Sequence, residues 1–470
     1  MDSIEHPNSQ NRTRSKKGSY QKLLNDENDN APDFLRTSSL PDMGSQDISK
    51  ERYISKTYFE QEMDLLWPRV WQMVCRIEEL DEVGKCLLYE VGKNSFIVTR
   101  TGPDTIKAFY NSCLHRGRQL VTQEGVNKQF RCPYHAFTWK LDGTFMGAPF
   151  MWDFPHLDKK KNCLPEAKID TWGGFVFINW DDNPQPLQDF LGVLPHHFAG
   201  WPLEDCFKAV HVRKLIRANW KIVWEAFLEV YHVEATHPQV APYTSSEESQ
   251  FDVFGDNISR TITPQGLPTG TAFRKSLSES QLFEGLINTS GRMSEDDSSK
   301  VTLPDGISAR DHMAELNRSA YSQATGLDLT STSRSELMDC IFYSVFPNFS
   351  PWGGFTSNII YRVLPHKNDP TMTTMDVMLL ARTKKGAPKP PPAKITHLGA
   401  DEPFANAKEL GALGPLFDQD MENIPYIHKG LEASKKNGVT LANYHESRIR
   451  HFHQTLDKYM TTRPEEVNLQ

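Results

Sequence analysis

The chain has 470 residues, a formal net charge of −8, and apolar and charged fractions of 38% and 24%. That length allows two or more domains with a substantial core, and the acidic balance, with no dense basic stripe, argues against nucleic acid as the main partner. Seven scattered cysteines (Cys75, Cys86, Cys113, Cys132, Cys163, Cys206 and Cys340) fit a reducing compartment better than a disulfide framework.

The opening segment MDSIEHPNSQNRTRSKKGSY is polar throughout, and no run of eighteen or more apolar residues follows. A soluble cytoplasmic protein without a membrane span is expected. Residues 1–50, rich in Ser, Asn, Asp and Lys, should be a disordered arm or lie on a neighbour, because they bury too little apolar surface to offset chain entropy. Residues 51–84 read as a helical segment packing on the larger domain. From Ser55 to Val74, Phe59, Met63, Leu66, Trp67, Val70 and Trp71 recur at three- and four-residue steps, with a break or kink at Pro68.

Residues 85–182 read as a small all-β domain. LLYEVG, SFIVTR and TIKAFYNSC are short and β-rich, FTWKLDGTF carries a hairpin signal at Asp142-Gly143, and KIDTWGGFVFINWD closes the series with another strand. Two ligand pairs lie at its tip: Cys113-Leu114-His115 and Cys132-Pro133-Tyr134-His135, with sixteen residues between His115 and Cys132. Zinc accepts such mixed ligands. A [2Fe–2S] cluster with two Cys on one iron and two His on the other also accepts them, and one Cys plus one His per loop favours it, since zinc fingers more often pair like with like. Leu114 and Pro133-Tyr134 are expected to give the loops apolar cover.

CLHRGRQL followed by CPYHAFTWKLDG resembles the Rieske domain of the ring-hydroxylating oxygenase alpha subunits. The common form ends CPYHGW; here Ala136 and Phe137 take the last two places, and neither is a ligand. The resemblance covers roughly residues 50 to 460. It implies an α+β protein, with a β-rich Rieske domain and a catalytic domain of helices on an antiparallel sheet over 183–460.

In that second half LQDFLGVLPHHFAGW looks helical. Residues 240–335 are polar and weakly patterned, a lid, a substrate-facing insertion or a loose surface insertion, with a helix at ARDHMAELNRSAYSQATG. Strands return at LMDCIFYSVFPNFS, TSNIIYRVLP and TMTTMDVMLLAR. KKGAPKPPPAK is a connector, and LFDQDMENIPYIHKGLEASKK and SRIRHFHQTLDKYM are helical.

A second site lies on the apolar segment after Asn219, read as a helix through Val230. Glu229 and His232 are three apart and share a face. His237 is followed by Pro238, which disfavours helical geometry, so the helix can end and bring His237 beside His232. Alone, two such histidines are more often structural. With a distant carboxylate they would form the facial triad of a non-haem Fe(II) site, which leaves positions open for dioxygen and substrate.

E-x-Y-H-x-x-x-x-H resembles the family's iron-binding helix, which makes His232 and His237 ligands. FDQDMEN resembles the third-ligand segment, where the carboxylate precedes an Asn by three positions; Asp420 with Asn423 fits, ahead of Asp418 and then Glu422. The resemblance also has Glu229 link His232 to His135 of an adjacent chain in a homotrimer, with or without a small β-subunit. Asn219 either supports the site or caps the helix. Phe227, Leu228 and residues around 340–360 are expected as pocket walls.

Together these features read as a terminal oxygenase with one Rieske [2Fe–2S] cluster and one mononuclear Fe(II) per chain. It would use dioxygen to hydroxylate a hydrophobic, aromatic or polycyclic molecule, with monooxygenation or oxidative demethylation as the alternative and a pure electron carrier behind both. No G-x-G-x-x-G follows a strand, so electrons should come from NAD(P)H through a separate reductase or ferredoxin.

Overall fold

In the computed structural model, residues 19–267, 277–290, 302–355 and 358–461 are described. The expected α+β architecture is present as two domains, each built on a large sheet. The smaller domain has a seven-stranded sheet in the order Gln72–Arg76, Phe175–Asn179, Glu166–Trp172, Thr105–Tyr110, Asn94–Gly102, Lys85–Val91, Gly125–Val126. A three-stranded sheet, Phe130–Arg131, Thr138–Trp139 and Phe145–Gly147, stands beside it. The turn at Asp142-Gly143 forms as expected: Gly143 has φ +86°, and a Cβ there would meet the Phe109 ring at 2.5 Å.

The larger domain is built on an eight-stranded sheet in the order Gln250–Phe254, Ile258–Thr263, Cys340–Val345, Phe349–Gly353, Asn358–His366, Asp369–Arg382, Cys206–Ile216, Thr396–Leu398. All its pairs are antiparallel except the last, where Thr396–Leu398 runs parallel to Cys206–Ile216. Helices Leu413–Met421, Ile424–Ala433 and Ser447–Thr461 complete the domain. No described helix is long and apolar enough to cross a membrane.

Two boundaries differ from expectation. The helix expected from Ser55 to Val74 stops at Leu65; Pro68 sits in a 3-10 turn, Trp67–Arg69. Gln72–Arg76 is then a strand of the smaller sheet, so that domain starts near residue 72 rather than 85. All five of its residues are buried, which removes the alternation that marks a half-buried strand. The polar members are satisfied internally: Gln72 donates to the Trp67 carbonyl, and Arg76 to the carbonyls of Gly173 and Cys206.

Residues 1–18 lie outside the described part, but 19–50 are not a loose arm. Ser19 caps a helix, Tyr20–Glu27, whose Tyr20 and Leu24 are fully buried. The polar side chains of this segment find partners in the larger domain: Glu27 pairs with Arg310 at 2.6 Å, and Gln21 donates to Gln250 at 2.8 Å.

The polar stretch 240–335 likewise supplies two strands of the eight-stranded sheet, Gln250–Phe254 and Ile258–Thr263, and the expected helix, Ala309–Thr325. Every residue of the second strand is buried although it reads ISRTIT. Asp252 and Arg260 pair at 2.7 Å with no exposure, and Arg448 of the last helix donates to Ser259 and Ser344. Buried polar pairing replaces the hydrophobic alternation there.

A second buried network joins the domains. Arg362 donates through both its Nε and Nη2 to Asp376 Oδ2, and to the carbonyls of Met73 and Val74 in the smaller domain. Burial alone would raise the Asp376 carboxyl, but Arg213, Arg362 and His211 hold it well below the usual carboxylate range.

Candidate active site

The two ligand pairs of the smaller domain sit on tight loops. In the first, the Gly117 N–H donates to the Cys113 carbonyl, and the Cys113 N–H to the Arg118 carbonyl, both at 2.8 Å. In the second, the Ala136 N–H donates to the Cys132 carbonyl and the Cys132 N–H to the Phe137 carbonyl, both at 2.9 Å. Ala136, where the common motif has Gly, adopts φ +59° and bears a left-handed cost of roughly 1–2 kcal/mol. Phe137, in place of the usual Trp, stacks on His115 with centroids 4.6 Å apart.

The loops bring Cys113, His115, Cys132 and His135 together. Burial pushes the Cys113 thiol up; it acts the same way on Cys132, but the backbone N–H groups of Tyr134 and His135 bring that thiol down overall. The imidazole centroids lie 4.7 Å apart. His115 Nδ1 is buried without a hydrogen-bond partner, the orphaned polar atom that a metal ligand would be before metal arrives. The donor set fits a Rieske [2Fe–2S] group. The apolar cover is not where it was expected: Leu114 and Tyr134 are 39% and 57% exposed. Phe130, Phe137, Trp139 and Phe145 bury the thiols from beneath.

The second site is built on a shorter helix than expected. Helix Trp220–Glu225 ends one turn in; an irregular segment carries Glu229, and a single turn, Val233–Thr236, separates the histidines. Glu229 folds back over this break. Its Oε2 accepts from the His232 N–H at 3.0 Å and its Oε1 lies 2.6 Å from His232 Nδ1. Glu229 and His232 are thus juxtaposed by a local turn rather than by a helix face. His237 ends the turn in a non-helical conformation (φ −120°, ψ 62°), as Pro238 requires.

Asp420 closes the set from helix Leu413–Met421. Its Oδ1 is 3.1 Å from His237 Nε2 and 3.5 Å from His232 Nε2, and one ligand atom from each of the three residues lies within 4.8 Å of the others. These atoms suit a divalent ion held on one side. Burial would depress the His232 imidazole, but Glu229 and then Asp420 pull it up, the same negative field that would hold a cation. Asp418 is turned away, accepting from the N–H groups of Phe404 and Ala405 at 2.6 and 3.0 Å, and Glu422 is exposed. His237 Nδ1 meets Gln419 Oε1 at 2.8 Å, a contact that no sequence motif signals.

The three ligands face a cavity of about 300 Å³ walled by Phe227, Tyr243, Phe342, Trp352, Tyr361 and Phe417 among others. Among the described lining residues, the charged groups other than histidine are the carboxylates Glu229 and Asp420. Phe227 and Phe342 were expected as walls; Leu228 is buried elsewhere. A larger groove at the domain junction, about 850 Å³, touches none of the ligands.

Of the two readings of Asn219, its contacts fit the helix cap. Its side chain accepts from the Lys221 N–H at 3.1 Å and donates to the Pro370 carbonyl at 3.0 Å, and it does not line the cavity. It is the helix N-cap, placed a full helix away from the ligands.

Residues 196–462 match the family described as ring hydroxylating alpha subunit (catalytic domain), and 70–158 match the Rieske [2Fe-2S] domain. The glycine betaine monooxygenase oxygenase subunit of Pseudomonas aeruginosa is 34% identical over 191 residues, 40% of this chain and 44% of that one. The carnitine monooxygenase oxygenase subunit of Escherichia coli is 34% identical over 194 residues, 40% of this chain and 50% of that one. The chain therefore spans about half the length of the curated relatives it matches. A crystal structure of a quaternary ammonium Rieske monooxygenase with an inhibitor shares the fold, with TM-score 0.63, 18% identity, and coverage of 90% of this chain and 100% of that one.

Proposed function

The chain belongs to the ring-hydroxylating alpha-subunit family, and on that premise we propose that it is a terminal monooxygenase acting on a small N-methylated amine or quaternary ammonium compound. The aromatic or polycyclic substrate suggested first by the sequence gives way to the monooxygenase and demethylase alternative. The observation that carries this reading is the cavity wall: six aromatic rings, with carboxylates as the described non-histidine charges. Ring faces attract quaternary ammonium groups, and among the described lining residues no Lys or Arg repels them. The relatives named for glycine betaine and carnitine monooxygenases support it.

Cys113, His115, Cys132 and His135 would hold the cluster, and His232, His237 and Asp420 the mononuclear iron. When bound, the cluster supplies single electrons and the iron activates dioxygen. The reaction balances as C–H plus O2, two electrons and two protons giving C–OH and water. Hydroxylation of a carbon on nitrogen lets the carbinol collapse to an amine and an aldehyde, which is oxidative demethylation when that carbon is a methyl. The electrons would come from NAD(P)H through a separate reductase, directly or by way of a ferredoxin.

The chain's own side chains bind and orient. The aromatic walls exclude water and seat the alkylammonium group. Glu229 accepts a hydrogen bond from the Nδ1–H of His232 and so fixes its tautomer. In a homotrimer, with or without a β-subunit, Glu229 would also bridge to His135 of an adjacent copy, completing the path from cluster to iron.

Oxygen uptake tests the reading. Iron-loaded protein with a surrogate reductase should consume oxygen with N-methylated amines or quaternary ammonium compounds, adding one oxygen atom or releasing aldehyde. Uptake coupled only to arenes, with two oxygen atoms in the product, would overturn it.

A further inference from the structure

The two histidines that face Asp420 are each held from behind, but by different groups. His232 has the Glu229 carboxylate. His237 has an amide: Gln419 Oε1 lies 2.8 Å from His237 Nδ1. We propose that Gln419 is the positioning residue of the metal site, fixing the tautomer and ring angle of His237 and bracing the segment that carries both histidines against the helix that carries Asp420. This rests on reading His232, His237 and Asp420 as metal ligands, and not on the substrate.

The tautomer follows from which nitrogen faces inward. His237 Nε2 is the atom 3.1 Å from Asp420 Oδ1 and belongs to the converging set. A coordinating nitrogen needs its lone pair, so the ring proton must sit on Nδ1, which then needs an acceptor. Gln419 Oε1 is that acceptor.

The amide is itself oriented. Gln239 Nε2 donates to the same Oε1 at 2.8 Å, and Gln419 Nε2 returns a contact of 3.3 Å to Gln239 Oε1. Turning Gln419 over alone would set its amide hydrogens against both the imidazole N–H and the Gln239 amide donor. The reciprocal pair also spans 180 residues of sequence, tying the turn just after His237 to the residue just before Asp420. The chain neighbour of a ligand thus supports the opposite ligand, so one helix delivers both.

The choice of an amide matters for charge. Glu229 and Asp420 already supply two negative charges beside a site for a dication. A neutral acceptor behind His237 orients it without adding a third.

The test is metal binding alone, without substrate or reductase, so an error about the substrate class leaves it untouched. Co(II) and Fe(II) are titrated into full-length protein with its cluster in place, and the Co(II) visible bands report coordination. Gln419→Leu should weaken binding by ~10–100-fold and shift the Co(II) bands, with the cluster's absorbance unchanged. Gln419→Glu, which keeps an acceptor oxygen, should recover at least the affinity lost in the Leu variant, its added negative charge tightening rather than weakening the hold on a dication. If Gln419→Leu loses its cluster absorbance through misfolding, Gln419→Asn, whose amide falls short of the ring, should show the same weakening. Wild-type affinity and bands in the Leu or Asn variant would overturn the proposal, as would a Glu variant as impaired as Leu. Wild-type protein that binds neither ion would remove the ligand set itself.

Discussion

His232 Nδ1 lies 2.6 Å from an oxygen of Glu229, a residue whose other oxygen accepts the backbone N–H of His232. One carboxylate therefore fixes both the ring and the chain that carries it. Glu229→Gln keeps an acceptor for the ring but removes the charge. It should retain mononuclear iron while turnover falls ~10-fold or more. Iron counting beside single-turnover reoxidation of the cluster separates the two effects; a wild-type rate would end the bridging role given to Glu229.

Asp420 and Asp418 make opposite predictions two positions apart. Asp420→Ala should lower iron from about three to about two per chain, with the cluster's visible spectrum intact. Asp418→Ala should keep all of the iron and lose ~0.5–2 kcal/mol of stability, because Asp418 caps the backbone at Phe404 and Ala405. Iron loss in the Asp418 variant alone would exchange their assignments.

Asn219→Ala tests a cap rather than a catalytic group. Stability should drop by ~0.5–2 kcal/mol in urea melts, while oxygen uptake per bound iron stays the same. A large fall in uptake at full iron occupancy would return Asn219 to the site.

The domain joint should be costly to break. Arg362→Met strips Asp376 of one guanidinium and leaves the Met73 and Val74 carbonyls without their donor. A loss of ~3–5 kcal/mol is expected by urea unfolding. A loss below about 1 kcal/mol would mean that packing alone holds the domains.

One buried imidazole gives a pH signature away from the metal ligands. His197, stacked on Phe34 and 2.9 Å from the Tyr343 hydroxyl, has its pKa lowered to about 3 by burial, with Arg260 and His196 pushing the same way. The unfolded chain keeps a value near 6.5. Between those values the unfolded state binds a proton that the fold refuses. Stability is therefore full above pH 6.5 and falls as pH drops toward 3, by up to about 1.4 kcal/mol per pH unit. Urea midpoints of His197→Phe should lack that part of the acid slope; equal slopes in both proteins would exclude it.

The metal-binding chemistry can be read from residue order wherever the ligands share a loop. Cys113 with His115, Cys132 with His135, and His232 with His237 lie within a few residues, so local backbone geometry brings each pair together in any fold that preserves the loop. The α+β class and most strands were legible for the same reason, since apolar alternation is a local pattern. The tertiary structure alone decided what depends on distant partners. Asp420 rather than Asp418 faces the histidines because helix packing against the Phe404 turn occupies Asp418. Gln419 meets His237 across 182 positions. The strands Gln72–Arg76 and Ile258–Thr263, and the segment at Tyr20, were hidden because their polar side chains are buried in pairs, and whether a polar residue meets water or an ion partner is settled only when the chain has closed around it.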